Sequence, residues 1–266
     1  MKKIFAIISC LLLLSCSQNL DNDTNMKETR NTNTDTGCEC SNPPTGILAW
    51  DYPVKPGMEE WKNFNSNEEM VEACQIPENI LASLSTEDLT EICLQYPLLN
   101  DVFVFNFLSK GADKLFNDFN GIRELFKREE ASKELLRHYN CEMQNISFLD
   151  KPATDLEKGD FIVSISTLEF LLGFYSYKAD ATKGDNMNML QCLVAGYEKE
   201  CKYPNYFQNS GPGETNFYSR AHVIIKINPE SLEKIPDKDK NGVFNGWSSK
   251  ETMDIINELS YQLINQ

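Results

Sequence analysis

A repeated apolar stripe is the tightest constraint on what this chain can fold into. Leu89, Ile92, Cys93 and Tyr96 follow one another at spacings of 3, 1 and 3, and Ala112, Leu115, Phe116 and Phe119 repeat the pattern. Residues three and four apart share one face of an α-helix, so each set forms one apolar edge. Ser85 with Asp88 suits the start of the first helix, and Pro97 stops it. Between the two stripes, Leu98 to Leu108 carries Val102, Phe103, Phe105 and Leu108 and reads as a helix buried nearly all round. Asn120-Gly121 closes the third. Three helices in about 35 residues leave room only for tight αα-hairpins.

Helical patterning continues beyond them. An amphipathic helix is expected over Ile122 to Tyr139, with Ile122, Leu125, Phe126, Leu135, Leu136 and Tyr139 inward. A capping-box pair, Thr154 and Glu157, opens Leu156 to Tyr177, whose apolar density makes it the central helix. Further helices are expected over Met187 to Glu200 and, from a second box at Ser248 and Glu251, to about Ile264. Tyr203 to Glu214, rich in Asn, Gly and Pro, reads as a loop. Ala221 to Ile227 is β-branched and leaves room for a minor β element near 221–227. The fold class is all-α, either a compact helical bundle or a short α-solenoid-like stack of helical hairpins.

The N-terminus is built differently. Met1-Lys2-Lys3 precedes an apolar run of 11 residues, Ile4 to Leu14, which is well short of the roughly 20 needed to span a bilayer as a helix. A basic start, a short apolar run and a small residue before a cut site describe a secretory signal peptide. Leu13-Leu14-Ser15-Cys16 resembles the bacterial lipobox. That resemblance implies cleavage before Cys16, diacylglycerol on its thiol and an acylated new amine, and two or more acyl chains hold a protein stably on a membrane. Cys10 also follows a serine, but it lies inside the apolar run. Ser17 to Gly46 is almost entirely Ser, Asn, Thr, Asp, Gly and Pro, too polar to offset the entropy of ordering. The expected organisation is a signal peptide at 1–15, a lipidated and disordered tether at 16–46 and one helical domain at 47–266. Asp21 and Asp23 resemble the acidic signals that send some lipoproteins to the outer face of the outer membrane. Expected localisation is therefore the cell envelope, on an outer-membrane lipoprotein that is periplasmic or surface-exposed.

Charge narrows the partners. Removing Lys2 and Lys3 with the signal takes the formal charge from −15 to −17. Binding to a phosphate backbone rests on Lys and Arg, so nucleic acid is excluded as a partner. The expected partners are the membrane, through the lipid on Cys16, and an envelope protein or extracellular ligand. Of nine cysteines, seven remain once Cys10 is removed and Cys16 is lipidated, and their pairing is open.

Three phrases carry a wider likeness: Leu84-Ser85-Thr86-Glu87-Asp88-Leu89, Cys93-Leu94-Gln95-Tyr96-Pro97-Leu98, and Phe119-Asn120-Gly121-Ile122-Arg123-Glu124-Leu125 with Lys127-Arg128. Over roughly Ile76 to Leu172 the chain resembles an uncharacterised family of helical lipoproteins from Gram-negative anaerobic bacteria. The resemblance implies a helical fold and an envelope location and carries no activity.

Candidate chemistry is sparse. Asp237-Lys238-Asp239-Lys240-Asn241-Gly242-Val243 matches the first seven positions of an EF-hand calcium loop, with Asp237, Asp239 and Asn241 as oxygen ligands. Position 12, where the loop needs a bidentate carboxylate, is Ser248, and the plainer reading is a polar turn. Calcium is the one cofactor suggested. Trp50, Tyr52 and Trp61, interleaved with prolines, suggest an exposed surface for docking carbohydrate or peptide; the plainer reading is a segment packed across the body. Cys38-Glu39-Cys40 supplies only two of the four ligands of a zinc site. His138 and His222 are the two histidines. His138 is expected near a helix C-terminus, where the dipole favours a cation, and His222 lacks any nucleophile signature beside it. The sequence thus points to a non-enzymatic binding or structural protein of the envelope, with an envelope hydrolase using His222 or a carboxylate pair as the alternative.

Overall fold

Four caps show how local sequence sets the helices of this chain. In the computed structural model, which describes residues 38–40, 42–46, 48–207, 212–246 and 249–266, Ser85 accepts from the Asp88 N–H and Thr154 forms the expected box with Glu157. Thr182 forms a second box with Asp185. Ser249 accepts from the Thr252 N–H. Each cap satisfies an N–H that the first turn leaves unpaired.

The helices run α1 (Glu59–Lys62), α2 (Asn67–Ala73), α3 (Glu78–Leu81), α4 (Thr86–Leu94), α5 (Leu108–Asp118), α6 (Asn120–Leu125), α7 (Ala131–Gln144), α8 (Asp155–Lys178), α9 (Lys183–Glu200), α10 (Pro204–Phe207), α11 (Pro212–Ile227), α12 (Asp237–Asn245) and α13 (Lys250–Ile264). Turns of 3₁₀ helix lie at Leu99–Val104, Ile146–Asp150 and Pro229–Lys234. The fold is all-α, and the described residues contain no strand. Ala221 to Ile227, read as room for a β element, is the last part of α11. There Ala221, Val223 and Ile224 are fully buried, and tertiary packing overrides the weak helix propensity of β-branched residues.

Of the two expected architectures the bundle is realised, because α11 packs on helices far apart in the chain. It lies along α8, and also meets α9, α12 and α13, while α7 packs on α8 and α9. Gly173 permits the closest of these crossings. A β-carbon there would stand 2.7 Å from the Ser219 Cα, so only glycine lets α8 and α11 approach this closely. The Ser219 hydroxyl donates to the Glu169 carbonyl across the same crossing.

Several boundaries differ from expectation for identifiable reasons. The expected Ile122–Tyr139 helix is two, α6 and α7; between them Arg128 donates to the Leu84 carbonyl at 2.7 Å, 44 positions earlier. Leu98 to Leu108 is a 3₁₀ turn followed by the start of α5. Asn120 opens α6 instead of only ending the helix before it, and its amide exchanges hydrogen bonds with the Ile76 N–H and carbonyl. Part of the expected 203–214 loop is helical, as α10 and the first turn of α11. The terminal helix begins one residue later than expected, capped by Ser249; Ser248 lies outside the described residues, as do the signal peptide, Cys16 and the tether up to 37.

The expected tether boundary at 46 is corrected. Cys38 is joined to Cys192 on α9 and Cys40 to Cys141 on α7, across separations of 154 and 101 residues. Asn42 accepts from Arg137, and the Gly46 N–H bonds to Glu91. From residue 38 the chain is therefore part of the folded body, not of a free tether. No described helix is long and apolar enough to cross a membrane.

Candidate functional site

The most concentrated chemistry lies inside the bundle, where five helices bring polar side chains together in a region closed to solvent. Glu169 interrupts the apolar run of α8 and is fully buried, and Glu200 ends α9 at 2% exposure. Tyr139 of α7 donates to the Glu169 Oε1 at 3.0 Å, and Thr215 of α11 donates to its Oε2 at 2.7 Å. Asn216 Nδ2 donates to the same Oε1 at 2.7 Å and reaches the Glu200 Oε1 at 3.4 Å.

Arg220 supplies the positive charge. It is 2% exposed, and its Nε donates to the Asn216 Oδ1 at 2.7 Å. One terminal nitrogen donates to Asn257 of α13 at 2.7 Å, and the guanidinium lies over the Tyr197 ring at 4.3 Å from its centroid. Asn216 thus sits between the carboxylates and the guanidinium, giving to one and accepting from the other. Burial, then the nearby Glu169, pushes the Glu200 carboxyl well above the usual range. Buried charge is tolerated only where its partners are satisfied in this way.

A second polar group lies beneath the N-terminal arm. His138 is in the middle of α7, not near a helix end as expected, and its Nε2 is 3.6 Å from the Glu91 Oε1. Burial draws its pKa down to about 4, so the imidazole is neutral at pH 7 and the helix-dipole account of it fails. His222 is enclosed by the rings of Tyr218, Phe244 and Tyr177, with centroids at 4.3, 5.4 and 5.3 Å. Its pKa is also drawn down to about 4, chiefly by burial. Among the described residues its Nε2 has no hydrogen-bond partner, while the ring is hydrogen-bonded to the Phe244 backbone.

The three aromatics expected at the surface are packed inward. Tyr52 is 2% exposed and donates to the Ile92 carbonyl at 2.9 Å. Trp50 sits edge-on to Tyr52, and Trp61 edge-on to Phe64, both half-buried against the core. The arm lies across the body, and its aromatic faces are used in doing so.

Asp237, Asp239 and Asn241 fall in α12, not in a loop. An EF-hand loop needs a turn that converges its odd positions on one point. In a helix, successive odd positions are about 200° apart around the axis. Asp237 is almost wholly exposed and paired with Lys240. Asp239 is turned inward and accepts from the hydroxyls of Ser249 and Thr252 at the start of α13. Among the described residues no three His, Cys, Asp or Glu side chains are grouped to hold a metal ion.

One notch, lined by Val71, Tyr96, Val102, Phe105 and Leu115, has a volume of about 20 Å³, close to what one water occupies. Comparison with family models, with curated proteins and with solved structures returns no match for this chain.

Sequence reasoning missed the buried cluster. One signal for it was legible, a lone carboxylate at 169 inside Leu168 to Leu172, where an unpaired charge would be costly.

Proposed function

We propose that this chain is a membrane-tethered lipoprotein of the bacterial cell envelope, held by lipid on Cys16, whose helical body binds an envelope protein or extracellular ligand without catalysing a reaction. The two disulfides that fasten residues 38 and 40 to α9 and α7 carry the reading. Such bonds persist in oxidising, exported compartments and are rare in the cytosol. They agree with the signal peptide and lipobox, and with the likeness to helical lipoproteins of Gram-negative anaerobes.

The interior supports a non-catalytic body. A hydrolytic carboxylate pair must face its substrate, whereas Glu169 and Glu200 are sealed inside five helices. His222 is enclosed by rings. What the fold presents outward is a strongly acidic surface on a rigid, cross-linked frame. An outer-membrane address fits Asp21 and Asp23 close behind the lipid site.

Cell fractionation and palmitate labelling of the wild type and Cys16→Ser test the attachment. The wild type is expected in the membrane fraction with label, and the variant soluble, unlabelled and still helical by circular dichroism. A variant that stayed with the membrane would overturn the reading. Crosslinking on intact cells followed by capture tests the binding role, and a crosslink confined to one face of the body would identify the surface used.

A further inference from the structure

One donor, the Asn216 Nδ2, lies 2.7 Å from the Glu169 Oε1 and 3.4 Å from the Glu200 Oε1, so the two buried carboxyl groups stand side by side. Two ionised carboxylates are acceptors only and repel one another at this range, and a hydrogen on one of the oxygens relieves the repulsion. Charge balance asks for the same hydrogen. Arg220 brings one positive charge into this part of the core, and two ionised glutamates would leave an uncompensated negative charge in a buried site, where screening is weak. One proton on the pair leaves one carboxylate against one guanidinium.

We propose that Glu169 and Glu200 hold a single proton between them, and that this proton makes the bundle a pH-sensitive device, closed at neutral and acid pH and loosened as the medium turns alkaline. The hydrogen-bond donors are arranged for that state. Glu169 accepts from three donors, Tyr139, Thr215 and Asn216. Glu200 has the weaker contact from Asn216 at 3.4 Å, and it ends α9, where the helix dipole disfavours negative charge.

The groups that face the pair are Tyr139 from α7 and Arg220 from α11, and Tyr197 from α9 and Tyr261 from α13 face Arg220 in turn. Lys199, next to Glu200 in the chain, is turned away and donates to the Met143 carbonyl. Among the described residues Arg220 is therefore the one cation set against two acids in this group. Its neighbours Tyr139 and Tyr261 are themselves pushed up by burial and stay neutral across the range of interest.

The sign follows from the direction of the Glu200 shift. In the unfolded chain a glutamate ionises near its ordinary value of 4.5, while the folded pair keeps its proton to a much higher pH. The folded state then binds one more proton, and the folding equilibrium constant falls about tenfold per pH unit above that value until the folded pKa is passed. Between about pH 7 and 8 the histidines are quiet. Both have folded pKa values of about 4, and unfolded imidazole has largely lost its proton above about 6.5. Unfolded thiols and phenols ionise at about 8.5 and above.

Denaturant unfolding of the full chain at pH 7 and pH 8, under oxidising conditions, reads the slope. The wild-type folding constant is expected to fall by about tenfold, and that of Glu200→Gln, which mimics the protonated acid, by less than about twofold. Infrared spectroscopy of the full chain at pH 7 reads the proton directly, through the carbonyl stretch of a neutral carboxylic acid. That band should be present in the wild type and absent from both Glu200→Gln and Glu169→Gln, because in the second variant Glu200 alone ionises to balance Arg220. A pH-independent wild type overturns the proposal, as does a wild type without the band. So does a band that survives in Glu169→Gln, which would mean a glutamate kept neutral by burial alone. Should either variant fail to fold, the wild-type slope and band still decide.

Discussion

The Tyr139 hydroxyl occupies the space that a β-carbon on residue 196 would need: an added carbon at Gly196 would lie 1.8 Å from it. The absence of a side chain on α9 is therefore what lets α7 deliver a donor to Glu169. Gly196→Ala must push Tyr139 aside and break that bond. The expected cost is about 2–4 kcal/mol, measurable by denaturant titration, and Tyr139→Phe in the same background should add little further. A Gly196→Ala variant as stable as the wild type would show that the helices can slide apart freely.

Loss of a disulfide should be felt at long range. Cys38→Ser with Cys192→Ser removes a link that closes a loop of about 150 residues, and the expected loss is about 2–5 kcal/mol. Limited proteolysis should then cut within 38–46 before it cuts any helix. Equal protease resistance in the two proteins would mean that the arm is held by packing alone.

Both histidines should titrate far below the usual imidazole. The chain has two, so their proton resonances can be followed individually, and midpoints of about 4 are expected for each. The sign is the reverse of the glutamate case. Unfolded imidazole takes up a proton near 6.5 and the folded one near 4, so the stability due to neutral, buried histidine is lost as pH falls between those values. His222→Phe should flatten part of that acid limb. A midpoint near 6.5 for His222 would mean that the ring is open to water.

At the junction of α12 and α13, Asp239→Ala should lower the melting temperature, because two hydroxyls at the start of α13 lose their acceptor. Those hydrogen bonds hold the Asp239 carboxyl below its usual range, so this contribution stands above about pH 4 and is lost as pH falls below it. Since α12 is a helix, added calcium or chelator should leave the melting temperature of the wild type unchanged. A calcium-dependent rise would require the segment to leave the helical conformation.

Much of the helical order was legible because it rests on local chemistry. Ser85, Pro97 and the Thr154–Glu157 box lie within a few residues of the boundaries they set, and α8 is found within one residue of its expected ends. The break between α6 and α7 has no Gly or Pro to announce it. Arg128 makes it by reaching back to the carbonyls of Leu84 and Leu81, a relation that exists only after folding. The start of α9 was missed by four residues although its box, Thr182 with Asp185, uses the same chemistry as the one recognised at Thr154. Cysteine pairing and the convergence of Glu169, Glu200 and Arg220 are tertiary facts. Single residues hint at them, as the acid at 169 does, without naming the partner.

The cross-links at residues 38 and 40 also decide where tension would enter the molecule. A pull on the chain ahead of Cys38, such as the proposed lipid anchor would exert, passes by covalent bonds into α9, and from Cys40 into α7. Helices α1 to α6, which follow immediately in sequence, are shunted out of that path. Strain entering there falls on α9 and α7, the helices packed on the central α8 and α11, and not on the first helices in sequence.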